Sequence, residues 1–340
     1  MPRARRVAAA LLVAQLLVAC AGAETSLRVM VPNAPGGGYD TTARKLASTW
    51  EETGAVDHAE VFNLPGAGGL VGLSRLERES GNDRLLMMMG LGVVGAMGVV
   101  GTGRTFEDVT PVARILSEPN VILVRSDSRI RSMARLVRRW RREPASVRVG
   151  GGSLPGGPDH LATFAVSESL GIPTRHVSYR RYDGGGPLLA ALLSGEVDVV
   201  VSGVLETIDQ VRSGAVRPLA VTGRDRLPDV PAPTLRETGV DVVFENWRGL
   251  LAPPGLTEDE QNRLVDLVRE TLGTPRWREA EQRNGWTRSL LVGEDFARFL
   301  EAEVRRTRRL LADTAPQSSS PKASRLPPER PRSRATRRGA

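Results

Sequence analysis

Four glycine clusters are the features of this 340-residue sequence most able to do chemistry. Each follows a strand-like run and precedes a helix-like run: residues 35–40 (PGGGYD), 65–69 (PGAGG), 150–160 (GGGSLPGGPDH) and 182–187 (YDGGGP). At such a corner the free N–H groups and the dipole of the helix favour an anion, and glycine lets a ligand reach the backbone. The clusters therefore predict an anion-binding cleft, although any one of them alone could equally be a tight turn.

The spacing of the glycines narrows the type of anion. A phosphate-binding Walker A loop needs Gly-Lys followed by Ser or Thr, which none of the clusters has. The first cluster also lacks the G-x-G-x-x-G spacing of a dinucleotide site. The pattern favours a small carboxylate, held by backbone N–H groups and a few hydroxyls, and it predicts no cofactor.

The residues that could serve an enzyme or a metal site are few. The sequence has three histidines, His58, His160 and His176, with no pair at i,i+4, and one cysteine, Cys20. It has no G-x-S-x-G motif, and Asp159 and His160 are adjacent on a helix, where neighbours do not face each other. We expect Asp159 to cap its helix and His160 to lie near the ligand. The sequence predicts a binding protein without catalytic residues or a metal.

The charge is concentrated at the two ends of the chain. Of the net +8, residues 1–20 carry +3 and residues 316–340 carry +6, so the body is close to neutral and does not favour nucleic acid. The basic and apolar start indicates an export signal at 1–20, ending in LVAC at Cys20 as in a lipoprotein. Cleavage after AGA at 21–23 is the alternative. We expect an extracytoplasmic protein, periplasmic or at the cell surface, with a lipid anchor at Cys20 and a disordered tail at 316–340.

Strand-like apolar runs alternate with helical segments, which predicts an α/β fold with mostly parallel sheets. Thr257 and Glu260 have the spacing of a capping box at the start of a late helix. The apolar block at 85–101 is too short and too rich in glycine for a membrane span, and we expect a buried strand running into a glycine-rich corner. One helix should bury a face made of Tyr39, Ala43, Leu46, Ala47 and Trp50.

Several of these segments, read in order, resemble one known family. They include LRVMVPNAPGGGYDTTARKL, NLPGAGGLVGL, GGGSLPGGPDHLA, GAVRPLAVT and NWRGLLAPPG. The sequence is similar, over about residues 27–311, to the substrate-binding receptors of tripartite tricarboxylate transporters, the TctC or Bug family. The resemblance implies a two-lobed periplasmic-binding-protein type II fold with a hinge between two α/β domains. Lobe 1 would comprise 25–124 plus 247–315 and lobe 2 would comprise 125–246, with chain crossings at 120–124 and 247–255.

The resemblance also implies which residues bind the ligand. The first lobe would contribute Asn33, Pro35, Gly36, Gly37, Gly38, Tyr39, Asp40, Gly66, Ala67 and Gly68, with Asp40 capping its helix. The second lobe would contribute Gly151, Gly152, Ser153, Asp159, His160, Tyr179 and Ser202. Two positions depart from many relatives, which have Phe in place of Asn33 and Pro or Thr in place of Asp159.

The function that the resemblance implies is solute capture. The receptor would close on a small carboxylate, a tricarboxylate such as citrate or a dicarboxylate, and deliver it as a monomer to a transporter with one large and one small membrane subunit. The alternative is a carboxylate-sensing receptor whose closed form docks on a membrane sensor kinase. The residues do not distinguish these two roles, because in both of them the membrane partner would recognise the closed form of the receptor.

Overall fold

The computed structural model describes residues 26–101, 103 and 105–312. The predicted signal segment at 1–20, the lipidation site Cys20 and the predicted tail at 316–340 lie outside the described residues. None of the helices in the described ranges has the length and apolar character that a membrane span requires.

Two β-sheets share one long strand, β4 (Thr110–Arg125). The first sheet also contains β1 (Ser26–Val31), β2 (His58–Asn63), β3 (Leu85–Gly90), β9 (Glu245–Ala252) and β10 (Thr287–Val292). The second sheet also contains β5 (Val149–Gly151), β6 (Tyr179–Arg181), β7 (Val199–Gly203) and β8 (Val216–Val221). We call the parts of the molecule built on these sheets the first and second lobes.

The chain passes between the lobes through β4 and again between β8 and β9. Residues 110–119 of β4 pair with β9, whereas residues 120–125 pair with β7 and β8. Thr222 fastens this junction, because its hydroxyl accepts the N–H of Asn120 at 2.8 Å and donates to the carbonyl of Phe244 at 2.6 Å. The sequence-based lobe boundaries, 25–124 plus 247–315 and 125–246, stay predictions.

The sheets are mixed, which differs from the expectation of mostly parallel strands. The pairs of β1 with β2 and β3, and of β5 with β6 and β7, are parallel. The pairs made by β4, and the pair of β3 with β9, are antiparallel. Strand direction depends on how the crossing segments return to the sheet, which the apolar runs of the sequence do not record.

Helices cover the sheets. They are α1 (Gly38–Thr53), α2 (Leu70–Leu76), α3 (Leu91–Val100), α4 (Met133–Arg142), α5 (Pro158–Ser169), α6 (Gly185–Ser194), α7 (Ile208–Arg212), α8 (Glu258–Gly273), α9 (Pro275–Arg283) and α10 (Gly293–Ala312). The predicted face of α1 is confirmed, since all five of its side chains are buried. The indole N–H of Trp50 donates to Thr271 at 2.7 Å and joins α1 to α8. The capping box of Thr257 and Glu260 is also confirmed.

The apolar block at 85–101 forms β3 and then α3, where the sequence suggested a strand and a glycine-rich corner. Gly92, Gly95 and Gly98 recur every three residues and fall near one another on the helix surface. Without side chains there, α3 approaches its neighbours closely: a Cβ on Gly92 would lie 3.1 Å from the hydroxyl of Tyr39. The glycines of this helix therefore serve packing.

Candidate ligand-binding site

A cavity of about 190 Å³ lies between the two lobes. Its lining combines the glycine corner before α1, the glycine loop before α5, and polar side chains of β4 and β9. The lining residues are Asn33, Gly38, Tyr39, Gly92, Glu118, Asn120, Gly152, Ser153, Pro158, Asp159, Gly203, Glu206, Asn246 and Arg248.

The first lobe presents the start of α1 to the cavity. Gly37 is the N-cap and offers no side chain, so the first N–H groups of the helix have no cap from that residue. Asp40 lies in the first turn, not at the cap as expected, and accepts the N–H of Gly36 at 2.9 Å and the amide of Asn63 at 3.0 Å. Asp40 is buried and does not line the cavity. Its role is to brace the loop.

Arg44 completes this brace. Its Nε donates to Asp40 at 2.9 Å, and this bond is the largest of the effects that lower the pKa of Asp40 to about 2, against the opposing effect of burial. The carboxyl group is therefore ionised and fully paired at neutral pH.

The second lobe builds the same brace from other residues. Asp159 lies in the first turn of α5, where Gly157 is the N-cap, so the expectation that Asp159 caps the helix was wrong. Its carboxylate accepts the N–H of Gly152 and the amide of Asn120, both at 2.8 Å. Burial, and next the charge of Glu206, raise the pKa of Asp159 to about 7.

This second corner has few donors left for an anion. The N–H of Gly152 is taken by Asp159, the N–H of Asp159 is taken by the hydroxyl of Ser153 at 3.2 Å, and Pro158 at the first position has no N–H. The two glycine corners are thus unlike in chemistry. The α1 corner offers N–H groups, and the α5 corner offers a carboxylate.

Arg248 of β9 lies at the base of the α1 corner. It is 5 % exposed, and its Nη1 donates to Thr42 at 2.8 Å while its Nη2 pairs with Glu118 of β4. The Arg248 guanidinium carbon lies 5.6 Å from the centroid of the Trp286 ring. Its Nε has no hydrogen-bond partner among the described residues. One N–H of this buried cation is therefore unpaired within the described ranges, beside the helix terminus.

Glu206, between β7 and α7, adds a further carboxyl group to the cavity. It accepts a hydrogen bond from Ser202 at 3.2 Å, and burial raises its pKa. Within the described ranges, no three His, Cys, Asp or Glu side chains are grouped closely enough to hold a metal ion.

His160 points away from the cavity although it neighbours Asp159 in sequence. The residue is 1 % exposed, and its ring packs against Phe164 and Tyr179 at centroid distances of 4.1 and 4.7 Å. Its Nδ1 accepts the N–H of Gly156 at 3.1 Å, and burial lowers its pKa to about 4. The neutral His160 therefore stabilises the glycine loop before α5 from the side that does not line the cavity.

The structure brings some of the predicted residues to the cavity and leaves others behind it. Those in the lining are Asn33, Gly38, Tyr39, Gly152, Ser153 and Asp159. Those outside it are Pro35, Gly36, Gly37, Asp40, Gly66, Ala67, Gly68, Gly151, His160, Tyr179 and Ser202. Their contacts with a ligand stay predictions.

Sequence reasoning missed the side chains that the two long strands contribute. Glu118 and Asn120 belong to β4, and Asn246 and Arg248 belong to β9. Their signal was present as SEPN within β4 and ENWR at the start of β9, short polar stretches in otherwise apolar strands. A buried polar group needs a partner or a ligand, so such an interruption is informative.

Comparison with known proteins points to one family. Residues 43–315 match the model of the tripartite tricarboxylate transporter family receptor. The protein BugT of Bordetella pertussis is 26 % identical over 294 residues, which cover 85 % of this chain and 89 % of BugT. A protein of Agrobacterium vitis, described as a UPF0065 protein in the TAR-I ttuE-ttuC' intergenic region, is 29 % identical and covers 79 % of both chains.

Solved structures share the fold. A TctC solute binding protein from Polaromonas superposes with a TM-score of 0.70 at 24 % identity, over 84 % of this chain and 98 % of the other. MatC from Rhodopseudomonas palustris, solved with bound malate, has a TM-score of 0.67 at 24 % identity, over 84 % and 98 %. The resemblance predicted from the sequence segments is confirmed: the chain has the fold of these solute-binding proteins and belongs to the tripartite tricarboxylate transporter receptor family.

Proposed function

We propose that this protein is an extracytoplasmic solute receptor that captures a small carboxylate between its lobes and delivers it to a tripartite tricarboxylate membrane transporter. The transporter would have one large and one small membrane subunit. The receptor would act as a monomer, held at the membrane by a lipid on Cys20. Di- and tricarboxylates are the first candidates for the solute, and the neighbour MatC is described with bound malate.

The observation that carries this proposal is the pairing of the α1 corner with Arg248. Gly38 and Arg248 both line the cavity, so a carboxylate there would meet helix N–H groups and a buried cation together. A helix terminus favours an anion by about 0.3–2 kcal/mol, and a hydrogen bond to a charged group adds about 1.5–3 kcal/mol. Micromolar binding needs about 8.2 kcal/mol in all, so exclusion of water by closure must supply the remainder.

A thermal-shift screen tests the proposal. The panel contains citrate, succinate, malate, adipate and benzoate, with nucleotides and sugars as controls. A bound carboxylate at 100 times its Kd should stabilise the protein by about 2.7 kcal/mol, seen as a rise in Tm. A sugar or nucleotide that stabilises the protein, with no effect from any carboxylate, would rule the proposal out.

A pair of variants locates the effect. Asn33→Asp places a negative charge in the cavity lining and should weaken the shift caused by a carboxylate. Asn262→Asp makes the same change on the exposed surface of α8, outside the lining, and should leave the shift unchanged.

A further inference from the structure

The charges in the cavity lining do not balance. Glu118, Asp159 and Glu206 contribute carboxyl groups, and Arg248 is the one basic side chain among the described lining residues. Arg248 is already paired with Glu118. Asp159 and Glu206 form no ion pair with any described residue, so two acidic groups of the second lobe line the cavity with only the more distant charge of Arg248 acting on Glu206.

The first lobe shows what a complete arrangement looks like. Asp40 and Asp159 each accept one loop N–H and one asparagine amide from the first turn of a helix. Asp40 also receives Arg44, four residues later, whereas the residue four after Asp159 is Thr163, whose hydroxyl donates to a backbone carbonyl. The second lobe therefore repeats the brace without the cation.

A separate observation concerns the buried Oδ1 of Asn120, which receives no hydrogen bond from any described residue. Asn120 lines the cavity, is 1 % exposed, and commits its Nδ2 to Asp159. Its Oδ1 has no hydrogen-bond partner in the described part of the chain. The same holds for Asn246, whose Nδ2 donates to Glu118. Because each amide nitrogen is fixed on a carboxylate, each free atom is an acceptor, and leaving such an atom unpaired costs about 1–3 kcal/mol.

We propose that the carboxylate captured here also carries an ammonium group, which binds between Asp159, Glu206 and the Oδ1 of Asn120. An ammonium group has three N–H donors and no acceptor, which matches a site made only of acceptors. The ligand carboxylate binds at the opposite wall, beside the α1 corner and Arg248. This inference rests on the proposed function and refines it, because it selects amino-carboxylates from among small carboxylates.

A carboxylate without the ammonium group meets a different balance. A dicarboxylate would place its second negative charge against Asp159 and Glu206, and whenever those groups are ionised the like charges repel in a cavity shut from water. It could bind there with Asp159 protonated, the form that this group takes below its pKa of about 7, so its affinity should fall as the pH rises above 7. The amino group should therefore increase affinity, where a simple dicarboxylate receptor would be indifferent to it or reject it.

Matched ligand pairs test this inference by isothermal titration calorimetry. The pairs are aspartate with succinate, glutamate with glutarate, and 4-aminobutyrate with butyrate, each differing by one amino group. The titrations are run in EDTA, so that metal–carboxylate complexes do not contribute. The amino member of the best-binding pair should bind about tenfold tighter or more, the gain expected from one charge-assisted hydrogen bond.

A variant tests whether the preference for the amino group comes from the acidic wall, the side of the cavity formed by Asp159 and Glu206. Glu206→Gln should weaken the amino member and strengthen its partner, so that the preference falls by about fivefold or more. Glu196→Gln is the matched control, since Glu196 is an exposed residue of the second lobe paired with Arg180 outside the cavity. It should leave both affinities unchanged.

The outcomes separate this inference from the proposed function. If, in the best-binding pair, the carboxylate without the amino group binds as tightly as its amino partner, the ammonium site is disproved while carboxylate capture stands. If the preference persists in Glu206→Gln, the acidic wall does not cause it and the assignment is wrong. If no carboxylate binds, with or without an amino group, the proposed function fails together with this inference.

Discussion

Asp40 and Asp159 show that the same local arrangement can have opposite electrostatics. Both carboxylates brace a glycine loop from the first turn of a helix. The pKa of Asp40 is lowered to about 2 by its bond with Arg44, whereas the pKa of Asp159 is raised to about 7 by burial and by Glu206. At neutral pH one brace is permanently charged and the other lies near its titration midpoint.

The stability of the protein should therefore depend on pH through Asp159. Its ordinary pKa is 3.8, so between about pH 4 and pH 7 the folded state keeps a proton that the unfolded chain has released. The stabilisation is complete below about pH 4 and is lost as pH rises through 7. The free energy of unfolding of the parent protein should fall between pH 5 and pH 8. In Asp159→Asn, which cannot titrate at this position, that fall should be smaller by about 2 kcal/mol.

Urea unfolding at several pH values measures this effect, and Asp40→Asn is the control. The pKa of Asp40 is depressed, so its stabilisation is present above about pH 4 and disappears as pH falls towards 2. That variant should alter only the acid range. Glu118, Glu206 and Tyr179 also bear on Asp159 and remain in both proteins. An unchanged slope between pH 5 and pH 8 in Asp159→Asn would show that Asp159 does not titrate there.

At the scale of elements, the start of α1 packs closely against Arg248 because Gly38 has no side chain. A Cβ on Gly38 would lie 2.5 Å from Nη2 and 2.9 Å from Cζ of Arg248. A Cβ on the neighbouring Gly37 would lie 3.6 Å from the carbonyl of Ala34, an ordinary contact. A side chain at Gly38 would therefore clash with Arg248, whereas a Cβ at Gly37 can be accommodated.

Gly38→Ala should displace the guanidinium from Thr42 and Glu118 and weaken carboxylate binding by about tenfold. The cost to the unfolding free energy should be about 1–3 kcal/mol, since the overpacking is local. Gly37→Ala should leave both quantities within the error of calorimetry and urea unfolding. Equal ligand affinities in the two variants would contradict the placement of Arg248 against the helix terminus.

The elements also show how far the sequence could lead. The buried face of α1 and the capping box of α8 were predictable because helical spacing and cap chemistry are local. The strand β10 was missed, since TRSLLV lies in a helix-rich stretch and pairs with β4 about 175 residues away. Arg248 was missed for a similar reason: its partners Thr42 and Glu118 come from two other elements, and no short motif records that meeting.

For the whole molecule, one contact between the lobes is made by two glycine backbones. Gly95 lies on α3 of the first lobe, and Gly156 lies in the loop before α5 of the second lobe. A Cβ on Gly156 would lie 2.6 Å from the carbonyl oxygen of Gly95, and a Cβ on Gly95 would overlap the carbonyl of Gly156. This arrangement of the lobes is therefore incompatible with a side chain at either position, because backbone cannot move aside as a flexible side chain can.

Gly95→Ala should shift the protein towards an open form without unfolding either lobe. Alanine favours a helix over glycine by about 1 kcal/mol, so α3 itself gains stability while the contact across the lobes is lost. A ligand that binds only the closed state should lose affinity by the same factor as the closed population falls. Small-angle X-ray scattering with a saturating carboxylate should give a larger radius of gyration for Gly95→Ala than for the parent protein. Gly186→Ala is the control, because a Cβ on that glycine of α6 would have no atom within 4 Å apart from its chain neighbours and the backbone of its own helix. Unaltered scattering and affinity in Gly95→Ala would mean that the lobes bind their ligand without this contact.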